Sequence, residues 1–295
     1  MLSRYLLTKK TRSSPFFNNM KTNNSLTFIF SFLFSYLVYF LLHNFYLYYY
    51  AIPIAVLSSL LLLAYTLRKH YFYIVFAILL IFVFSGVFPI KFSLEIISVS
   101  MLIQSLFIKK LAIKTVNLSS KLEIRRDLVQ IVIGAIFLSI LVFSYKWILL
   151  ALVFLGILAA HIIYVYGRKM KKLVNLLERD GVIFGSGAIS MAVGAVLLLG
   201  FINRFDFLFF SLFSLLISDP IATVAGLKIQ KKPGRKSISG SMAFFVSSLV
   251  PGVVFFGLFG VIFALILSLA ERFSPIDDNI FIAVIAVLLS LVFFI

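Results

Sequence analysis

The sequence has no cysteine, which excludes disulfides and thiolate metal sites. Charge is also scarce. Only 13% of residues are charged, and 10 acids stand against 27 lysines and arginines. A chain with so few polar groups cannot cover a water-soluble globule, whose apolar fraction is typically about 45–50%. The first 20 residues, MLSRYLLTKKTRSSPFFNNM, lack a long apolar core, so they do not read as a cleavable signal peptide. We expect residues 1–24 to form a disordered basic tail, or an upstream start ahead of a true start at Met20. No internal repeat is evident.

What the chain does contain is apolar. Hydrophobic residues make up 62% of its 295 positions, 35 of them Phe, and the mean hydropathy is +1.13. Apolar runs near the roughly 20 residues needed to cross hydrocarbon recur along it. The expected fold is all-α, a polytopic membrane helix bundle of about 11 spans (range 9–11), at approximately 25–43, 46–66, 71–89, 92–108, 128–144, 147–166, 182–201, 204–218, 240–254, 256–270 and 279–295. The fourth is the weakest, because Glu95 and Gln104 interrupt it. The stretch 240–270 has 31 residues without a charge. As one helix it would rise about 46 Å, against a hydrocarbon core of about 30 Å. With Pro251-Gly252 inside it, a helix–turn–helix pair is the better reading. Residues 25–120 are expected to form peripheral helices and 121–295 the catalytic membrane domain.

The net charge of +17 would point to nucleic acid in a soluble protein. Here the cations lie in short loops, so no nucleic-acid partner is expected. Lys21, the Arg68-Lys69-His70 group, Lys109 to Arg126, Arg168 to Arg179 and Lys228 to Lys236 fall on one side; Lys91, Lys146 and Arg204 fall on the other. That asymmetry places the basic loops in the cytoplasm and favours anionic headgroups or phosphates.

Four segments on the basic side carry most of the acids of the C-terminal half. They are Glu123 to Gln130; Glu178-Arg179-Asp180-Gly181 with Gly185-Ser186-Gly187-Ala188; Ser218-Asp219-Pro220 through Gly226 to Ser241; and Glu271-Arg272 with Asp277-Asp278-Asn279. Lys236-Ser237-x-x-Gly240-Ser241 opens a helix, whose N-terminal amides and dipole can bind phosphate; the same serines serve equally as ordinary N-caps. Asp219 and Glu271 are expected at helix C-terminal ends, where the dipole disfavours anions. A divalent cation would account for them, and so would pairing with a nearby Lys or Arg. Asp277-Asp278 suit a helix N-terminus. Arg125-Arg126 can clamp phosphate or act only as an orientation signal. Lys169, Lys171 and Lys172 read as a solvated basic face, Gly185 and Gly187 as close-packing positions, His161 as a packed, hydrogen-bonded residue, and Tyr46 to Tyr50 as an interfacial belt.

Taken together, these segments resemble the dolichol kinase/phytol kinase family of CTP-dependent lipid kinases over roughly residues 120–295. Ser218-Asp219-Pro220-Ile-Ala222-Thr-Val-Ala-Gly226 is similar to that family's Gly-Asp-x-x-Ala-x-x-x-Gly element. Lys236 to Ser241 is similar to its Lys-Ser-x-x-Gly-Ser element, Glu271 to Asn279 to its Glu…Asp-Asp/Asn motif, and Gly185 through Gly194 to its Gly-rich segment. The chain departs from the family at Asp127 and Gln130, where Lys and His are usual, and at Ser218, where Gly is usual. The resemblance implies transfer of a phosphoryl group from CTP to the hydroxyl of a long-chain isoprenoid alcohol, with Mg²⁺. In that reading Asp219, Glu271 and Asp278 are catalytic, Asp219 and Asp278 hold the metal, and Lys236, Ser237, Gly240, Ser241, Gly226, Arg126 and Asn279 bind nucleotide and phosphate. The implied partners are the lipid alcohol, CTP and membrane lipids. Two other classes stay open: a CTP-dependent phosphatidate-type cytidylyltransferase, and a non-catalytic transporter or scaffold. Transporters place ionisable groups near the bilayer midplane, and apart from Glu95 the spans here are nearly free of them.

Overall fold

A computed structural model describes residues 31–38, 48–67, 69–86, 90–112, 120–143, 146–166, 186–230 and 236–294. Every element among them is helical: α1 (31–38), α2 (Tyr48–Thr66), α3 (Tyr71–Phe84), α4 (Ile90–Ala112), α5 (Ser120–Phe143), α6 (Lys146–Tyr166), α7 (Ser186–Phe201), α8 (Phe205–Phe213), a π turn (Ser214–Ser218), α9 (Asp219–Gln230), α10 (Ile238–Phe256), α11 (Leu258–Phe273) and α12 (Asp278–Phe293). The basic tail, Lys169 to Lys172, Glu178 to Gly181, Gly185 and Arg235 lie outside the described residues.

Among the described residues, five helices are long and apolar enough to cross a bilayer: Tyr49–Thr66, Ile124–Phe143, Lys146–Tyr166, Phe205–Ile229 and Ile238–Phe256. Tyr71–Phe84, Gly187–Phe201 and Asp278–Phe293 are shorter apolar helices. The chain is therefore an all-helical membrane protein. The expected count of about eleven crossings (range 9–11) is not confirmed: among the described residues several apolar runs fold into helices of 14 or 16 residues. Large apolar side chains face outward along these rods, among them Val132, Ile136, Phe143, Val254 and Leu258. Water would oppose that arrangement and lipid tolerates it.

The uncharged run after residue 237 does break into two helices, and the break is at Gly257, whose φ of 57° suits glycine. Pro251-Gly252 lies inside α10 instead. Gly252 and Gly260 meet backbone to backbone, so α10 and α11 close into a tight antiparallel hairpin.

The rod from Phe205 to Gln230 is continuous through the π turn, in which the Asp219 amide donates to the Ser214 carbonyl. Pro220 explains it. A proline ring clashes with the carbonyl four residues back in a regular helix, and one widened turn relieves the clash. This corrects the expected place of Asp219. It opens the outgoing helix within a continuous rod, so no helix C-terminus acts on it. Glu271, two residues before the end of α11, is at a helix C-terminal end as expected.

The two ends of the bundle carry different charges. At one end Lys146 Nζ lies 3.4 Å from Asn203 Oδ1, with Lys91 and Glu95 in electrostatic reach. Arg204 pairs with Asp206 and lies 4.5 Å from the Phe294 ring. The other end holds Lys236, Glu271 and Asp278. Between them, α2 to α4 pack on the helices that follow within one hydrophobic core. His161 sits in that core, stacked on Phe72 at 3.7 Å between ring centroids and flanked by Tyr65 and Tyr73. It is packed as expected, but neither ring nitrogen has a hydrogen-bond partner among the described residues.

Candidate functional site

Three carboxylates from three helices converge at the end that holds Lys236. One oxygen from each of Asp219 (α9), Glu271 (α11) and Asp278 (α12) lies within 4.8 Å of the other two. Asp219 and Glu271 are buried, and the Asp278 side chain is 31% exposed. Unpaired carboxylates this close repel strongly in a poorly hydrated setting. Lys236, just before α10, answers part of that charge. Its ammonium donates to Glu271 Oε1 and, at 2.7 Å, to Asp278 Oδ2. Burial disfavours the ammonium, but the Asp278, Asp219 and Glu271 carboxylates outweigh burial and hold Lys236 above the usual lysine range. It stays charged at any physiological pH.

Ser241 Oγ donates to Glu271 Oε2 at 3.1 Å, and Ser268 Oγ donates to the Ser241 carbonyl at 2.8 Å, which ties α10 to α11 beside the cluster. The Asn279 amide donates to Asp277 Oδ1 at 3.1 Å and Asp278 Oδ1 at 3.2 Å. Asp277 is thus the N-cap of α12, as its position before the last helix led us to expect. Asp219 Oδ1 and Asn279 Oδ1 are among the buried oxygens in this region that have no hydrogen-bond partner among the described residues.

Three of the other candidate residues are engaged in packing. Ser237 is the N-cap of α10, accepting from the Gly240 amide at 2.9 Å. A Cβ at Gly240 would lie 2.8 Å from the Ala222 carbonyl, and one at Gly226 would lie 2.6 Å from Ser237 Oγ. Both glycines let α9 and α10 approach closely and antiparallel, so Asp219 lies deeper in the bundle than the start of α10. Gly187 meets nothing within 4 Å, contrary to the expected close packing. The tight position is Gly194, where a Cβ would lie 2.8 Å from the Asn279 carbonyl. Ser237→Ala removes a cap and should lower stability by about 1 kcal/mol, read as a lower thermal midpoint in detergent with the helical signal retained.

Asp127 was not among the expected site residues, yet it belongs to this region. It is buried, accepts from Arg126 Nε and Nη2 at 3.1 and 2.9 Å, and lies in electrostatic reach of Asp219. Arg126 is therefore tethered to a carboxylate. α5 reaches the site because Gly134 packs against Leu216, where a Cβ would come within 2.9 Å of the Leu216 side chain. The sequence signal was an acid beside arginine at the mouth of an apolar helix. One turn on, Gln130 Nε2 is buried with no partner among the described residues. Removing an amide nitrogen that makes no bond among the described residues costs little, so Gln130→Ala should keep activity within about twofold of wild type and the thermal midpoint close to it, measured by initial rate and thermal unfolding.

The structure thus defines a class: an all-helical membrane protein with a buried acidic cluster, countered by one lysine, at one end of its bundle. An uncharacterized protein of Methanocaldococcus jannaschii is 29% identical over 169 residues, which span 54% of this chain and 87% of that protein. No protein-family model and no solved structure matches the chain.

Proposed function

We propose that the protein is a CTP-dependent kinase that phosphorylates the hydroxyl of a long-chain isoprenoid alcohol at the membrane surface. One observation carries the reading. Residues 219, 236, 271 and 278, separated by up to 59 positions (278 − 219), meet in one cluster. The motif resemblance required that convergence, and an unrelated bundle of apolar helices did not.

The donor set fits a magnesium ion. All three converging side chains offer carboxylate oxygens, which hard cations prefer, and Asp219 Oδ1 is buried without a partner. Asp219 and Asp278, with Glu271 beside them, would hold it. When bound, the ion neutralises charge on the triphosphate. The chain's own residues do the rest. Lys236 supplies a compact positive charge for the phosphates. Ser241 and Ser268 fix the Glu271 carboxylate, and the α12 N-terminus fixes Asp278. Asp278, the most exposed of the three, is positioned to orient an incoming hydroxyl and take its proton. Phosphoryl transfer is largely positioning and charge stabilisation, so this set is sufficient in kind. The apolar outward faces of the helices accommodate an isoprenoid tail without dedicated polar contacts. The Lys/Arg asymmetry of the loops supports a site on the cytoplasmic face.

The test is purified protein in lipid nanodiscs with labelled CTP or ATP and a panel of lipid alcohols. Phosphorylated lipid and CDP are the expected products. Pyrophosphate release with a lipid phosphate would establish a cytidylyltransferase instead, and no nucleotide turnover with any acceptor would end the enzymatic reading.

A further inference from the structure

The hydrogen bonds around the cluster leave little room for a metal ion. Both oxygens of Glu271 are occupied, Oε1 by Lys236 and Oε2 by Ser241. So are both oxygens of Asp278, Oδ2 by Lys236 and Oδ1 by the Asn279 amide. Of the three carboxylates, Asp219, 7% exposed, keeps an oxygen without a hydrogen-bond partner among the described residues. A magnesium ion needs several oxygens at about 2.0–2.1 Å. It cannot take Glu271 Oε1 and Asp278 Oδ2 while an ammonium hydrogen-bonds to both.

We infer that Lys236 is a built-in counter-cation that occupies the carboxylate cluster, and that a metal ion enters only as the Lys236 ammonium swings away onto the phosphates of an arriving nucleoside triphosphate. This rests on the kinase reading and adds regulation to it. The lysine blocks the metal when it is alone and binds the nucleotide once displaced. Metal and nucleotide binding are then coupled, each raising the other's affinity by the same factor. The device also keeps buried carboxylates compensated between turnovers, since uncompensated buried charge is strongly unfavourable. Lys236 is suited to both positions: it directly precedes the Ser237 cap, so its own backbone lies outside α10.

The experiment is Mn²⁺ binding by electron paramagnetic resonance, with full-length protein in nanodiscs, with and without a non-hydrolysable CTP analogue. Wild type should bind Mn²⁺ weakly alone and at least tenfold more tightly with the analogue. Lys236→Met should bind Mn²⁺ alone at least tenfold more tightly than wild type, and the analogue should then add little. Lys228→Met removes an equal charge at an exposed position on α9 and should behave as wild type, which separates displacement from a general field effect. Asp219→Asn should abolish binding in every background. Mn²⁺ binding that depends on Asp219 but is unchanged in Lys236→Met, or raised equally in Lys228→Met, overturns the counter-cation role and leaves the kinase reading standing. Absence of any Asp219-dependent Mn²⁺ binding, with or without the analogue, overturns both.

Discussion

Asp219→Asn should abolish lipid phosphorylation, lowering the rate by about three orders of magnitude or more, while the protein still inserts and folds. The substitution keeps the size of the side chain and removes its charge. Asp219 is the carboxylate with the most to offer a cation, because its Oδ1 is buried with no hydrogen-bond partner among the described residues. Among the described residues it also carries no ion pair whose loss would unravel the helix. Relieving repulsion from Glu271 and Asp278 should leave stability equal or slightly higher. A loss of several kilocalories per mole of transition-state stabilisation with no loss of stability is the signature of a group used in chemistry, where roughly 1.4 kcal/mol corresponds to tenfold in rate. The measurement pairs a labelled-nucleotide assay with a thermal midpoint in detergent. Full activity in the variant would remove Asp219 from the mechanism and with it the site.

The second large effect is structural. Gly260→Val should destabilise the protein by about 3 kcal/mol or more, the upper end for overpacking, and should also remove activity. A Cβ at Gly260 would lie far inside van der Waals contact with the Gly252 backbone. Neither helix has a flexible side chain there to give way, so α10 and α11 must separate. The same hairpin carries Ser241 and Glu271, with Lys236 just ahead of it. Spreading it pulls Glu271 from its partners at the far end. A lower thermal midpoint and faster proteolysis in detergent should accompany the lost activity. Gly156→Ala, where the added Cβ meets nothing within 4 Å, is the matched control and should be close to neutral. Wild-type stability in Gly260→Val would show that the hairpin does not depend on this contact.

Much of the site was legible along the chain, and the reason is chemical. In a sequence that is 62% hydrophobic, a carboxylate at the edge of an apolar run is conspicuous, because burying it requires compensation. Asp219 and Glu271 stood out on that ground, whereas Asp278 read first as a helix cap and Lys236 as a neighbour of an ordinary serine cap, and the family resemblance is what singled those two out. Asp127 was as visible, but its arginine neighbour supplied a complete local explanation. The packing of α5 on the rod, with Gly134 against Leu216, brings it toward Asp219. The glycines were misleading for a related reason. Glycine permits close approach without naming what approaches, and at 226 and 240 the approaching group is a neighbouring helix. At Asp219 the sequence reading ended a helix where Pro220 only widens a turn, because a proline's cost depends on whether the rod can absorb it.

By itself the sequence determined that this chain is helical, belongs in a membrane, turns back on itself between residues 238 and 273, and, Glu95 apart, keeps its few acids at or beyond the ends of apolar runs. Those properties follow from local composition, since a bilayer leaves a backbone no cheaper way to satisfy its amides than helix. The tertiary structure alone decided which of those acids meet, which oxygens Lys236 occupies, and which glycines hold helices together. Each is a relation between segments distant along the chain, set by how the helices pack, and no single stretch of residues encodes it.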